Sequence, residues 1–373
     1  MEAARAPTRI SLFNSSAKRS SLSLSAVSSP LSLRYRSSVA IKGNISIKIY
    51  SNRRLFTVSC SRMDESSTSS SQIAQSFLRN VLASMEEVYL NRNASAKAIL
   101  NLVHSCDGDH VSYDHFAFRT FGVDGYGIDS MAKFFLDFGY TTREELRFPA
   151  KKLKALWFSP PKNVHCPKEQ GVKGPLPRVF ISELLVEEMS PHAQEIIKKY
   201  TKMSSCGNKY AALASALGSL TWEKPLYADY EQLSRESEYA AWTLVNGYAL
   251  NHLTISVHSL KSHIRSINDL NRFIEANGFR LNTEGGILKV SPDGLLLQSS
   301  TVADSIPFEF ADKITESVPC SYIEFAERLV LPNFEGLADE EIKEFHRRDG
   351  FEVGNADKIF ESTSKDQLTR KAA

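Results

Sequence analysis

Two histidines lie in segments where polar or small side chains alternate with larger apolar ones, with a period of two. His115 lies in YDHFAFRTFG (113–122) and His252 lies in NHLTISV (251–257). This period predicts β-strands whose successive side chains point to opposite faces, so that Arg119 shares the face of His115. An imidazole on such a face is a candidate ligand for a transition metal, and a histidine held in the core by hydrogen bonds is the alternative.

A carboxylate is the third candidate metal ligand. Glu324 lies in SYIEFAER (321–328), between Ile323 and Phe325, which point to the other face of a predicted strand. Burying such a carboxylate without a partner is costly, and a metal ion removes that cost. Two imidazoles and one carboxylate form the facial triad of non-haem Fe(II) oxygenases, which leaves open positions for substrate and oxygen. The remaining histidines form no rival group and are expected at the surface: His104, His110, His165, His192, His258, His263 and His346.

The elements that carry these residues occur in two units of the same order, β-α-β-β-β. The first unit is predicted as a strand at 113–122, a helix at 128–138 and strands at 141–148, 153–158 and 178–185. The second is predicted as a strand at 251–257, a helix that carries Ile264 and stops at Asn277 and Gly278, and strands at 279–282, 287–291, 295–299 and 321–330. The repeat indicates a duplicated α+β fold, with one extra or split strand in the second unit.

The chain is predicted to divide into a leader and one large domain. Residues 1–62 contain eleven Lys and Arg, one acidic residue and many serines, without the apolar run of a secretory signal. They are typical of a plastid transit peptide and are expected to be disordered and outside the fold. Residues 63–373 form the domain, with its parts as follows: module one about 110–186, a helical insert about 187–247, module two about 248–332, and a C-terminal segment 333–373.

Composition argues against several classes of protein. The chain is 42% hydrophobic and 24% charged, as expected for a globular protein of enzyme size. Without residues 1–62, 34 basic and 42 acidic residues remain, and this deficit of cations argues against a nucleic-acid partner. No apolar run approaches the ~18 residues of a membrane span. Phosphate-loop, nucleophile-elbow, HExxH and dinucleotide motifs are absent from the sequence, which disfavours nucleotide and acyl-enzyme chemistry.

The segments DHFAFRTFG, NHLTISV, SYIEFAER and GFEVGNADKIFEST (350–363) resemble the 2-oxoadipate dioxygenase/decarboxylase (hydroxyglutarate synthase) family, formerly a domain of unknown function. The resemblance spans roughly residues 70–365 and includes plastid members from plants that are linked to a floury endosperm. It implies a vicinal oxygen chelate-like fold of two βαβββ modules around a metal site. It also implies that His115, His252 and Glu324 hold Fe(II), and that Arg119 binds the substrate carboxylate.

The implied reaction converts 2-oxoadipate and O2 to 2-hydroxyglutarate and CO2 in lysine catabolism, in the plastid stroma. No second cosubstrate is needed, because a 2-oxo acid can itself chelate Fe(II). A Val-Ser pair of the bacterial members, which helps to hold the substrate, corresponds best to Val353 and Gly354, where the hydroxyl is missing. Two alternatives stay open: another vicinal oxygen chelate enzyme (an extradiol dioxygenase or an isomerase), and a non-catalytic plastid protein that affects starch.

Overall fold

The computed structural model describes residues 46–51, 54–59, 70–108, 111–161, 171–203 and 210–370. The chain divides into two units, residues 1–66 and residues 67–373. In the first unit, strands β1 (Ser46–Ser51) and β2 (Arg54–Ser59) form an antiparallel hairpin, with Ser46 opposite Ser59. The sequence analysis did not predict this hairpin. The remaining residues of the predicted leader lie outside the described ones, and the transit peptide stays a prediction.

The second unit contains both predicted modules and the helices between them. It opens with two helices, α1 (Ser70–Arg92) and α2 (Ala94–Asp107). The first module contains β3 (Tyr113–Phe121), α3 (Ile128–Asp137), β4 (Thr141–Phe148), β5 (Leu153–Ser159) and β6 (Arg178–Leu184). The helical insert contains α4 (Pro191–Met203), α5 (Ala211–Leu217), α6 (Tyr227–Glu236) and α7 (Glu238–Asn246).

The second module and the C-terminal segment follow. The module contains β7 (Leu250–Ser256), α8 (Ile267–Ala276), β8 (Lys289–Val290), β9 (Leu296–Ser300), β10 (Ser305–Glu309), β11 (Thr315–Pro319) and β12 (Tyr322–Arg328). The C-terminal segment contains α9 (Val353–Ile359) and α10 (Lys365–Thr369).

Eight strands form one sheet in the order β4-β5-β6-β3-β7-β12-β9-β8. The two modules meet at its centre, where β3 and β7 run antiparallel. In each module the first strand pairs in parallel with the last strand, β3 with β6 and β7 with β12, while the outer neighbours are antiparallel. Four strands of each module join this sheet. Outward from the centre, they follow the same order in both modules: first, fourth, third and second along the chain. This symmetry confirms the predicted α+β fold of two βαβββ modules.

The central strands are buried on both faces, which explains their many apolar side chains. All nine residues of β3 and all seven of β7 are buried. Helices from the N-terminal region and the insert pack near them, α1 against β7 and α7 against β3. Among the described residues, no helix combines the length and apolar character that a membrane crossing requires.

The predicted strand at 279–282 was wrong. The segment makes a single bridge, Leu281 to Thr301, through backbone hydrogen bonds from Asn282 to Ser300 and from Val302 to Arg280. The Asn282 amide donates to the Lys358 carbonyl and the Ser362 hydroxyl of the C-terminal segment, and its oxygen accepts the Glu284 amide proton in a local turn. Local side-chain bonds of this kind compete with strand pairing.

Two further differences concern module two. The helix α8 begins at Ile267, after Ile264, because the Ser266 hydroxyl accepts the Asp269 amide proton as an N-terminal cap. The strands β10 and β11 form a separate hairpin that was not predicted. Their side chains are mostly exposed and β10 contains Pro307, so the apolar alternation that marks a strand is weak.

One buried arginine joins both modules and the C-terminal segment. Arg328 on β12 donates from Nε and Nη2 to the two carboxylate oxygens of Asp114 on β3, at 2.6 and 3.0 Å. Its Nη1 donates to the carbonyls of Arg348 and Gly350. Both charged side chains are fully buried, and Arg178 adds a second cation 3.3 Å from Asp114. Such a pair depends on each partner remaining in place.

We expect Arg328→Met to lower the free energy of unfolding by about 3–5 kcal/mol, because it leaves a buried carboxylate poorly compensated. Urea unfolding followed by fluorescence measures the change. The matched control is Arg272→Met, which removes an exposed arginine paired with Asp269 and should change stability by less than about 0.5 kcal/mol. Equal effects of the two substitutions would contradict a structural role for the Arg328 bridge.

Candidate metal centre

Strand register brings the three predicted metal ligands together. In the antiparallel pair β3–β7, His115 lies opposite Thr254 and Ala117 lies opposite His252. In the parallel pair β7–β12, Glu324 lies beside Thr254. Directly paired residues point to the same face of a sheet, so the three side chains converge on one side.

The converging atoms are within reach of one ion. The Nε2 atoms of His115 and His252 are 3.3 Å apart, and Glu324 Oε2 lies 3.7 and 3.1 Å from them, respectively. All three side chains are buried. Within the described ranges, this is the only group of three or more His, Cys, Asp or Glu side chains with atoms close enough to share an ion. The distances between these donors and their chemistry fit a transition metal held by two imidazoles and one carboxylate.

Each histidine is oriented by the residue that precedes it. His115 Nδ1 lies 2.7 Å from Asp114 Oδ1, and His252 Nδ1 lies 3.0 Å from Asn251 Oδ1. The register of β3 against β7 shifts next to each histidine. Such irregularities change the direction of side chains. They explain how two successive residues of a strand, whose side chains normally point to opposite faces, can contact each other here. A hydrogen bond at Nδ1 fixes the ring so that Nε2 points to the metal position.

The two partners give the histidines different electrostatics. Burial lowers the pKa of His115, but the Glu324 and Asp114 carboxylates outweigh it, and the pKa is raised from its ordinary value. His252 has a neutral amide as partner, so burial dominates and lowers its pKa. Burial would raise the pKa of Glu324, but the two imidazoles outweigh it and hold the pKa at about 2. Glu324 is therefore an anion at neutral pH, the form that binds metal.

The position that corresponds to Glu324 in the first module is occupied by phenylalanine. Glu324 lies two residues beyond Tyr322, the β12 neighbour of His252. By the same register, Phe180 lies two residues beyond Arg178, the β6 neighbour of His115. The duplication thus creates four equivalent ligand positions, of which three carry ligands and the fourth carries an apolar ring. On that side of the group, none of the described residues provides a fourth ligand.

A cavity adjoins the three ligands and has mostly apolar walls. Phe180 forms one side, and Phe351, Ile359 and Phe360 of the C-terminal segment cover it. The Phe351 ring meets the His115 ring edge to face, with centroids 4.8 Å apart. Apolar walls of this kind keep water away from a reacting centre.

Gln298 and Tyr322 also line this cavity. From the sequence alone both are possible pocket residues, although sheet or core roles are the commoner ones for such side chains. The Gln298 amide donates to Glu324 Oε1 at 2.7 Å. The Tyr322 ring stacks on His252, with ring centroids 4.7 Å apart. The strand pattern showed which way they point but not what lies there.

Arg119 is buried close to this site among aromatic rings. Its guanidinium carbon lies 5.0 Å from the ring centres of Tyr239 and Trp242. The Nη2 atom donates to the Thr363 hydroxyl at 3.1 Å and to the Phe360 carbonyl at 3.4 Å, while Nε has no partner. Burial lowers its pKa from the ordinary value. No carboxylate of the described residues forms an ion pair with it.

Val353 and Gly354 lie apart from the three ligands. Both are exposed at the start of α9, and Val353 lines a surface groove. Helix α9 contributes Ala356 and Ile359 to the cavity, to which neither of the predicted residues contributes. Their contact with substrate stays a prediction.

Two histidines expected at the surface are largely enclosed. The His258 side chain is 7% exposed and its Nε2 lies 3.1 Å from Glu344 Oε2, and His346 packs against Phe334. The surface prediction was wrong for His258 because Glu344 of the C-terminal segment covers it, and wrong for His346 because that segment packs on itself, with Phe334 against the His346 ring. Sequence reasoning also missed Asp114 and Asn251, although the dipeptides Asp-His and Asn-His at matching positions were a usable signal.

Comparison with known proteins agrees with this geometry. Residues 80–340 match the family model described as 2-oxoadipate dioxygenase/decarboxylase. The chain belongs to this family. A relative from Oryza sativa subsp. japonica, named 2-oxoadipate dioxygenase/decarboxylase, chloroplastic/amyloplastic, is 72% identical over 300 residues, which cover 80% of this chain and 82% of the relative. A relative from Arabidopsis thaliana with the same enzyme name, chloroplastic, is 63% identical over 331 residues, which cover 88% of each chain.

A solved structure of the family is also similar. It is the hydroxyglutarate synthase from Oryza sativa in complex with 2-oxoadipate, with a TM-score of 0.78 and 72% identity. The match covers 80% of this chain and 95% of the solved chain. The predicted family resemblance is therefore confirmed in both sequence and fold.

We expect His115→Ala, His252→Ala and Glu324→Ala each to abolish binding of a divalent metal while the sheet stays folded, because apolar packing holds the strands. Metal content after anaerobic loading and dialysis measures binding, and circular dichroism measures folding. His258→Ala is the matched control, since this enclosed histidine is bonded to Glu344 and not to the group. Equal loss of metal in His258→Ala would mean that the ligands are wrongly assigned.

Proposed function

We propose that this chain is an Fe(II)-dependent enzyme that converts 2-oxoadipate and O2 to 2-hydroxyglutarate and CO2. The family and the two named relatives support the reaction, and the solved rice relative contains 2-oxoadipate. The observation that carries the proposal for this chain is the pairing of a two-His, one-Glu group with a buried arginine whose Nε has no hydrogen-bond partner among the described residues.

His115, His252 and Glu324 would hold the ion. Two neutral nitrogen donors and one carboxylate with open positions suit Fe(II) in oxygenases. Bound there, Fe(II) would supply a site for chelation of the 2-oxo acid and for reduction of oxygen. The substrate has six carbons and 2-hydroxyglutarate has five, so one CO2 leaves and both oxygen atoms of O2 end in the products.

Arg119 points to an anionic substrate. A guanidinium keeps its charge in proteins, and burying a charge without a counter-ion is costly. Its neighbours are three aromatic rings, one hydroxyl and one carbonyl. A carboxylate of the substrate would pair with this guanidinium, and its two oxygens match the guanidinium fork.

Tyr322 sets the spacing between the metal group and Arg119. Its ring stacks on His252, and its hydroxyl lies near enough to the Arg119 guanidinium to raise the pKa of that group, partly offsetting burial. One tyrosine side chain therefore spans the distance between the two sites. This length suits a short diacid that is chelated at its 2-oxo end and held at its distal carboxylate. Arg119 thus favours a 2-oxo diacid over a substrate without a second carboxylate.

The protein's other task is to exclude water. Phe180, Phe351 and Phe360 surround the space next to the three ligands. Such walls strengthen the attraction between the substrate carboxylates and the protein charges, and they limit side reactions with solvent.

A plastid location is part of the proposal. The rice relative is named chloroplastic/amyloplastic and the Arabidopsis relative chloroplastic. The basic, Ser-rich residues 1–62 are consistent with a transit peptide. A role in lysine catabolism stays a prediction from the resemblance.

The direct test is anaerobic reconstitution with Fe(II), followed by addition of 2-oxoadipate and oxygenated buffer. We expect one 2-hydroxyglutarate and one CO2 for each 2-oxoadipate and each O2 consumed, measured by mass spectrometry and oxygen uptake. Bound iron without oxygen uptake for any 2-oxo acid would instead favour a structural metal and a non-catalytic protein.

We expect Arg119→Lys to retain iron but to lose about a hundredfold in kcat/KM with 2-oxoadipate, or roughly 2–3 kcal/mol of transition-state stabilisation. A lysine carries one compact charge and cannot make two parallel hydrogen bonds to a carboxylate. The matched substrate is 2-oxohexanoate, which lacks the distal carboxylate and should be nearly indifferent to the substitution. The measurement is the ratio of the two kcat/KM values, and an unchanged ratio would remove Arg119 from the substrate site.

A further inference from the structure

The two carboxylate oxygens of Glu324 have different surroundings. Oε2 faces the imidazoles, 3.1 Å from His252 Nε2 and 3.7 Å from His115 Nε2. Oε1 accepts a hydrogen bond of 2.7 Å from the Gln298 side-chain amide. One oxygen therefore points to the metal position, and the other is engaged by the protein.

A second amide fixes the orientation of the first. An ionised carboxylate only accepts hydrogen bonds, so Gln298 must turn its NH2 group to Glu324. Its carbonyl oxygen then needs a donor, and Asn355 Nδ2 supplies one at 3.0 Å. Asn355 Nδ2 also lies 3.4 Å from the Leu296 carbonyl, so both of its neighbours are acceptors. Asn355 therefore donates to Gln298, and Gln298 donates to Glu324. We call these three hydrogen-bonded residues the relay.

The relay is isolated from solvent. Asn355 and Gln298 are each 2% exposed, and Glu324 is 1% exposed. Water cannot replace a lost bond easily there, and a buried amide without a partner costs free energy. Alternative orientations of the Gln298 amide are therefore disfavoured while Asn355 is present.

We propose that Asn355, acting through Gln298, restricts Glu324 to a single metal-facing oxygen and so keeps a coordination position free for the 2-oxo acid. Asn355 is a positioning residue in α9 of the C-terminal segment, whose Ala356 and Ile359 line the cavity. The C-terminal segment therefore covers the site and also sets how many metal positions the protein occupies. The inference rests on the metal site of the proposed function.

Two substitutions at Asn355 separate this role from ordinary packing. Asn355→Leu removes the donor at similar size, which frees the Gln298 amide to turn and releases Oε1. Asn355→Asp is nearly isosteric, so it guards against a folding failure, and its carboxylate attracts the Gln298 NH2 away from Glu324. Asn271→Leu is the matched control. Asn271 is a buried asparagine whose side-chain oxygen accepts a hydrogen bond from Ser299. Ser299 follows Gln298 in the sequence, and its side chain points to the other face of β9.

The experiment loads the full-length chain with Co(II) without oxygen and titrates it with 2-oxoadipate. Visible absorption of Co(II) reports the coordination number, since it weakens as that number rises. We expect both Asn355 variants to retain Co(II), to absorb more weakly than wild type before substrate is added, and to bind 2-oxoadipate about 10- to 100-fold more weakly. Asn271→Leu should match wild type in all three measurements.

Each contrary result is decisive. Unchanged 2-oxoadipate affinity and absorption in both Asn355 variants would overturn the relay, and so would a parallel loss of Co(II) and 2-oxoadipate affinity, which indicates general disruption of the site. Failure of the wild-type chain to bind Co(II) would overturn the proposed metal site itself, and the relay with it. If wild-type chain binds Co(II) but not 2-oxoadipate, the proposed substrate is wrong, and the absorption of the variants alone decides for or against the relay.

Discussion

The pairing of β3 with β7 at the centre of the sheet is the constraint on which the site depends. A slip of one residue in a strand turns every side chain to the opposite face. The observed register sets His115 opposite Thr254 and Ala117 opposite His252, and the parallel strand β12 then places Glu324 beside Thr254. Three residues that are far apart in the sequence meet only because these two pairings hold together.

The buried charges support both that register and the C-terminal cover. Asp114 orients His115 and is itself held by Arg328 and Arg178, which lower its pKa well below the ordinary value despite burial. Arg178 also pairs with Asp349 and Glu344 of the C-terminal segment, at 2.8 Å each. The C-terminal segment, which covers the cavity, is thus joined through Arg178 to Asp114, the carboxylate that orients His115. Arg119 differs from these groups, because its Nε has no hydrogen-bond partner among the described residues.

The sequence carried the periodic features of the site but not those that depend on distant contacts. His115, His252 and Glu324 could be predicted because a period of two determines the face of each residue, and the repeated element order related the first two. The roles of Gln298 and Asn355 could not, because their hydrogen bonds join β9 to a helix more than fifty residues away. The segment 279–282 has strand-like residues, yet it makes only one bridge, and the Asn282 side chain bonds to the C-terminal segment. The enclosure of His258 likewise follows from a contact with Glu344, which no local pattern contains.

The central claim is that the converging imidazoles and carboxylate form a metal site, rather than a cluster that only satisfies itself by hydrogen bonding. Crystals of the chain loaded anaerobically with Fe(II), with diffraction recorded on both sides of the iron absorption edge, test it most directly. The account predicts a single strong anomalous peak about 2.0–2.2 Å from His115 Nε2, His252 Nε2 and Glu324 Oε2, the usual range for such ligands. A peak at other residues, or no peak with the three side chains still bonded to one another, would contradict it.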